Sequence, residues 1–189
     1  FVAYWLGDDT AKLQGRLTLN PIKHIDPFLT ILLPLMLAIV GAPIFGGAKP
    51  VPFNPYRVRY DEWGAALVAL AGPLTNLLIA FVVFGIAAVM GYDVSAFRPD
   101  NAVQMVLTYG VIVNLGFFVF NMIPLPPLDG SRVLYALAPD LIRRGMEYIE
   151  QYGIIFVFAI VLLASSYIGI FMSQAIQFFL DLFGKIFLL

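Results

Sequence analysis

The chain is 189 residues long, 61% hydrophobic and only 12% charged, with a net charge of −1 and a mean hydropathy of +0.90. A soluble domain is nearer half apolar and a quarter charged, so these values exclude a soluble globular protein and specify an integral membrane protein. The near-neutral charge argues against a nucleic-acid partner, which needs a basic face, and the absence of cysteine excludes disulfides and thiolate metal sites.

The opening Phe1-Val2-Ala3-Tyr4-Trp5-Leu6 is apolar and is ended by Gly7 and Asp8, as a glycine just past a helix C-terminus does. Six residues cannot span a bilayer, so residues 1–7 read as the tail of a helix whose body lies upstream. A signal peptide would instead have a basic start and a small-residue cleavage site. From Asp8 to Pro27 the chain turns polar, and the alternating piece Gln14 to Pro21 predicts a short membrane-associated strand or hairpin. Such a strand must be covered by protein or line a cavity. Its edge could pair with an extended peptide, the alternative being an interfacial loop.

Phe28 to Phe45 is the first full apolar run, with Pro34, Gly41 and Pro43 predicting a kinked span. A turn-rich loop follows from Gly46 to Tyr60, with Pro50, Pro52 and Pro55. Residues 64–90 form the longest run, enough for a tilted span, and contain Gly72-Pro73-Leu74-Thr75-Asn76. The glycine permits close helix approach, the proline frees a carbonyl, and Asn76 lies one turn after Gly72 on the same face. The next spans are predicted at 103–123 and 153–172, separated by a short helix from Ser131 to Ala138 and by the charges of 140–150. Over 173–189, Gln174, Gln177, Asp181 and Lys185 recur at helical spacing, which suits an amphipathic surface helix.

The expected fold is therefore an all-α polytopic membrane protein forming one domain over 1–189. It has about four spanning helices, a helix tail at the front, a short strand and an amphipathic C-terminal helix. The 46–63 and 124–152 loops carry Lys49, Arg57, Arg59, Arg132, Arg143 and Arg144, against Lys12, Arg16, Lys23 and Arg98 on the other side. Six against four weakly favours the first side as cytoplasmic. No internal repeat of the transporter kind is present.

The chemistry concentrates at Asn121-Met122-Ile123-Pro124-Leu125-Pro126-Pro127-Leu128-Asp129-Gly130. Three prolines break the helix, and one carboxylate follows where a membrane helix ends. An acid there faces protein, water or a metal. Asp129 is either a metal ligand or proton-transfer group, or it caps the following helix. Asn76 is either an active-site donor or interhelical glue, and Asn114 and Asn121 carry weaker versions of the same choice. His24, the sole histidine, sits in a polar loop where a solvated or hydrogen-bonded role is the usual one.

The segments Leu13 to Pro27, Gly72 to Asn76 and Pro124 to Gly130, in that order, resemble the site-2 protease family, the prokaryotic intramembrane zinc metalloproteases of the short, few-helix type. The likeness runs from Phe1 to about Leu182. It implies a multi-pass protein of the prokaryotic plasma membrane that cleaves transmembrane segments of other proteins. In that family an HExxH motif supplies two histidines to zinc and a glutamate as base. The LDG aspartate is the third ligand, here Asp129, and the GPxxN asparagine lies near the metal, here Asn76.

No HExxH occurs in residues 1–189. The likeness of Phe1-Val2-Ala3-Tyr4 to the run that follows HExxH in this family places the motif in the last turn or two before Phe1, with its ligands at i, i+4 spacing. These residues by themselves are thus expected to be inert. In the implied chemistry the missing glutamate moves the proton, Asn76 donates to the oxyanion and Asp129 completes the Zn2+ coordination. The alternative is a non-catalytic membrane protein, a small transporter or regulatory scaffold, with Asp129 and Asn76 lining a polar pocket.

Overall fold

The computed structural model describes residues 1–41, 44, 46–49, 51–163 and 165–187. The helices among them are α1 (Val2–Trp5), α2 (Thr10–Leu13), α3 (Pro27–Ile39), α4 (Asp61–Val89), α5 (Ala102–Asn121), α6 (Asp129–Leu137), α7 (Asp140–Leu163) and α8 (Ser165–Phe187). The chain divides into two compact units, Phe1–Gly64 and Ala65–Leu189.

In the first unit the polar residues hold the fold. After α1, Gly7 takes φ +110°, a conformation that favours glycine. Asp8 follows, fully buried. Its Oδ1 accepts from the Thr10 N–H at 3.0 Å and from the Thr10 hydroxyl, and its Oδ2 accepts from the Asn54 N–H at 2.9 Å. The Arg59 N–H donates to the Leu6 carbonyl at 2.9 Å, so the start of the chain is tied to the 54–59 segment. The buried Arg16 donates to the Lys23 carbonyl and, at 2.7 Å, to the Lys49 carbonyl. Lys49 N–H reaches the His24 carbonyl at 2.9 Å, and Gly47 N–H reaches that of Leu29 at 3.0 Å.

Burial pushes the Asp8 pKa up, but hydrogen bonds from Asn54 and Thr10 and the nearby Arg57 charge outweigh it, leaving it below the usual 3.8. A lowered folded-state pKa stabilises the fold above the unfolded value, and that stability is lost as pH falls through the folded pKa. Amide protection at Thr10 and Asn54, taken relative to the intrinsic exchange rate at each pH, should therefore fall on acidification below about pH 4. In Asp8→Asn, protection at neutral pH should be lower by about 1.5–3 kcal/mol, the scale of hydrogen bonds to a charged group. It should also lose most of its acid dependence. Wild-type protection unchanged by the substitution would contradict the role given to Asp8.

The strand expected over 14–21 does not form, and no strand occurs among the described residues. That stretch satisfies its backbone locally instead. Arg16 N–H bonds the Ala11 carbonyl at 2.8 Å, Thr18 N–H bonds that of Arg16 at 3.0 Å, and the Asn20 side chain caps the 3-10 turn Pro21–His24. The alternation was real, but no neighbouring strand pairs with it.

The expected span 28–45 also differs. α3 ends at Ile39, short of the roughly 20 residues a span needs, while 42, 43, 45 and the turn residue at 50 lie outside the described residues. Its first stretch, Pro27–Leu32, has π-type bonding and is capped by the Asp26 carboxylate. Thr30 donates to the Gly47 carbonyl at 2.7 Å, pulling α3 against the following loop.

In the second unit three helices are long and apolar enough to cross a membrane: Asp61–Val89, Ala102–Asn121 and Ser166–Phe187. Their shared core is Ala80, Phe84 and Ala87 of α4, Val111 and Leu115 of α5, and Leu180 and Phe183 of α8. Lipid tails are as apolar as leucine, so close packing rather than water exclusion must hold such helices together. The rings supply it: Phe81 and Phe183 meet edge-to-face at 5.1 Å, as do Phe118 and Phe179 at 5.2 Å. Such pairs contribute about 0.5–1.5 kcal/mol each beyond area burial.

The C-terminal third is divided differently from the expected 153–172 span and 173–189 surface helix. α7 runs to Leu163 with a sharp break at Gly153 (φ 27°, ψ −106°), and α8 is continuous through Phe187. The polar stripe of 173–189 exists, with Gln177 donating to Asp181 at 2.8 Å. Leu180 and Phe183 pack in the core of the unit, while Phe178, Leu182 and Ile186 stay exposed on the same helix. Residues 188 and 189 of the expected surface helix lie outside the described residues.

Candidate functional site

α5 stops after Asn121, and the proline segment carries the chain into α6, whose first residue is Asp129. Gly130 is buried, and a Cβ there would lie 2.4 Å from the Met122 carbonyl oxygen and 2.9 Å from that of Ile123. The glycine is thus required by backbone-to-backbone contact with the end of α5. Its φ is not among the positive ones, so the requirement is one of space and not of backbone angle. This contact fixes where Asp129 sits.

Across from Asp129 is Gly72 of α4. A Cβ at Gly72 would lie 3.7 Å from the Asp129 Oδ2, so the absence of a side chain there lets the carboxylate lie against the helix. The next residue, Pro73, is fully buried and leaves the Ala69 carbonyl without its helical donor. Asn76 follows one turn after Gly72, half-buried.

The structure separates the alternatives left open for the four candidate side chains. Asp129 does not cap α6: Leu128 holds the N-cap position and no side chain bonds the free N–H groups. The half-buried carboxylate accepts no hydrogen bond among the described residues. Burial pushes its pKa up, and the positive charge of Arg132 acts in the opposite sense. A charged acid without donors is the arrangement a cation relieves. Asn114 and Asn121 donate back to their own helix, to the Gly110 carbonyl at 2.7 Å and the Phe117 carbonyl at 2.9 Å. Asn76 makes no such bond among the described residues. His24, in the first unit, bonds the Thr18 carbonyl through Nε2 at 2.9 Å, the structural role usual for a lone loop histidine.

Asp129 and Gly72 therefore meet at one helix–helix corner, with Asn76 one turn further along α4, while Asn114 and Asn121 are bonded into α5. Sequence reasoning did not single out Arg132 and Glu150, which form an ion pair between α6 and α7, or Tyr135, whose hydroxyl donates to Glu147 at 2.6 Å. The signal was present as Arg132 three residues after Asp129 and as the charge cluster of 140–150. Beside the site, an apolar groove of about 540 Å3 opens between the end of α5 (Met122 to Pro124) and α8 (Tyr167, Phe171). It offers wall and no ligand.

As a metal centre this donor set is partial. Catalytic zinc takes about three protein ligands and keeps one position open. No group of three or more His, Cys, Asp or Glu able to hold a metal occurs among the described residues. Asp129, unpartnered among the described residues and partly desolvated, has the chemistry of a single oxygen ligand.

Comparison with known proteins gives the family. The model of peptidase family M50 matches residues 56–165, which include both Asn76 and Asp129. YwhC of Bacillus subtilis, provisionally named a zinc metalloprotease, is 42% identical over 157 residues, covering 82% of this chain and 68% of that protein. Rip2 of Mycolicibacterium smegmatis, named likewise, is 29% identical over 190 residues, covering 97% of this chain and 67% of that protein. MJ0611 of Methanocaldococcus jannaschii, again provisionally a zinc metalloprotease, is 40% identical over 104 residues, covering 53% of this chain and 50% of its own length. No solved structure matches the chain significantly.

Proposed function

The chain belongs to peptidase family M50, and from that premise we propose that it forms part of an intramembrane zinc endopeptidase of the site-2 protease type. Its substrate is a transmembrane segment of another membrane protein, and its setting is a multi-pass position in a prokaryotic plasma membrane. The observation that carries this reading is the unpartnered, half-buried Asp129 carboxylate lying against Gly72 where the proline segment breaks the membrane helix.

When bound, zinc activates water as a nucleophile and polarises the scissile carbonyl. The residues of this chain do the rest of the work assigned to them. Asp129 offers one carboxylate oxygen to the metal, and the Gly130 contact with α5 prevents it from drifting. The Asn76 amide, which makes no helix bond among the described residues, donates toward the oxygen on which negative charge develops. The resemblance implies two histidine ligands and a glutamate base of the HExxH kind, a motif these 189 residues do not contain.

The test is cleavage of a transmembrane peptide by the full-length protein in detergent or liposomes. Activity should disappear with a zinc chelator and return on adding back Zn2+. Cleavage indifferent to chelation would contradict the zinc mechanism. No cleavage of any transmembrane substrate by zinc-loaded protein would favour a non-catalytic membrane protein instead.

A further inference from the structure

Asp129 and Arg132 are three residues apart on α6, so their side chains are neighbours on one face. An arginine that close to a half-buried carboxylate would ordinarily pair with it, since guanidinium and carboxylate match in shape and charge. Yet Asp129 accepts no hydrogen bond from it among the described residues. The Arg132 Nη2 donates to Glu150 on α7 instead. One turn along each helix, the Tyr135 hydroxyl donates to Glu147 at 2.6 Å, so two turns of α6 are in register with two of α7. Arg143 locks the far end of this pair, donating to the Tyr135 carbonyl at 3.0 Å and to that of Ala136 at 3.3 Å.

We infer that Glu150 is a positioning residue for the metal centre: by holding the Arg132 guanidinium on α7 it keeps that cation from closing on Asp129. The carboxylate is thereby left open to a metal ion. The inference rests on the reading of Asp129 as a ligand and adds the device that keeps the ligand available. Without Glu150, Arg132 is released to close on Asp129, three residues away on its own helix, and would compete with a metal for that carboxylate. Arg132 itself is not needed for metal binding. It remains as the partner that joins α6 to α7.

The test is the zinc affinity of the full-length protein in detergent, measured by competition with a chromophoric chelator. Glu150→Gln should weaken zinc binding about tenfold, the lower end of what loss of an outer partner costs. Arg132→Gln should leave affinity near wild type, because Glu150 already neutralises that charge. The double variant Glu150→Gln/Arg132→Gln should return to wild type, which a merely structural role for Glu150 would not produce. Three outcomes overturn the proposal: Glu150→Gln binding zinc like wild type, the double variant binding as weakly as Glu150→Gln, or single effects that are equal, opposite and additive. The last would mean a bare field effect. Asp129→Asn is the reference arm. If it loses zinc while Glu150→Gln does not, only the role of Glu150 fails; if it keeps zinc, the ligand assignment fails first and carries this one with it.

Discussion

Zinc content is expected to fall sharply in full-length protein carrying Asp129→Asn or Asp129→Ala, and proteolysis with it. The loss should exceed the roughly 10–100-fold that removing an outer partner of a metal ligand costs, because here a ligand itself is removed. Asp129→Asn is the more informative change. Asparagine caps helices as well as aspartate does, so a capping role would leave that variant stable and active. A ligand role requires the negative charge of the carboxylate, which the amide does not carry. The absence of any side-chain cap on α6 already favours the ligand role. Full zinc occupancy in Asp129→Asn, measured by metal analysis of purified protein, would remove Asp129 from the coordination shell.

The second large effect is expected at Asn76. Asn76→Ala should lower kcat about 10²–10³-fold, the cost of losing one oxyanion donor, with zinc content and KM little changed. A donor that acts only as charge develops in the transition state has that signature. If Asn76 were interhelical glue, its loss would cost about 0.6 kcal/mol of stability and leave kcat nearly intact. Asn114 and Asn121 serve as internal controls, because each spends its amide on its own helix. Comparable losses of kcat in Asn76→Ala and Asn114→Ala would point to general disruption of the bundle rather than to a donor at the reacting carbonyl.

What could be read in the sequence was what depends on local spacing. Asp129 after three prolines and Asn76 one turn after Gly72 carry their placement in their own neighbourhoods, and the structure puts Gly72 and Asp129 side by side. The apolar runs of α4 and α5 are likewise visible without any partner. The errors came where a distant partner decides. The alternation over 14–21 predicts a strand only if another strand lies beside it. Instead, Arg16 is committed to carbonyls at Lys23 and Lys49. The polar stripe of 173–187 matches a surface helix, yet a stripe cannot say whether its greasy side meets lipid or Phe84 and Leu115. The local pattern also does not show why residue 130 has to be glycine. A crowded carbonyl eight residues back is invisible in a string of letters. The hold of Glu150 on Arg132 crosses between helices and was equally hidden.

The contact of Gly130 with the carbonyl ends of Met122 and Ile123 joins points close together along the polypeptide. Closing so short a loop forfeits little chain entropy, and the contact itself involves only main-chain atoms. The acid's berth can consequently take shape as soon as this one hairpin has been synthesised, independent of how the greasy walls later settle. Residues on those walls are then at liberty to diverge among relatives without moving the carboxylate.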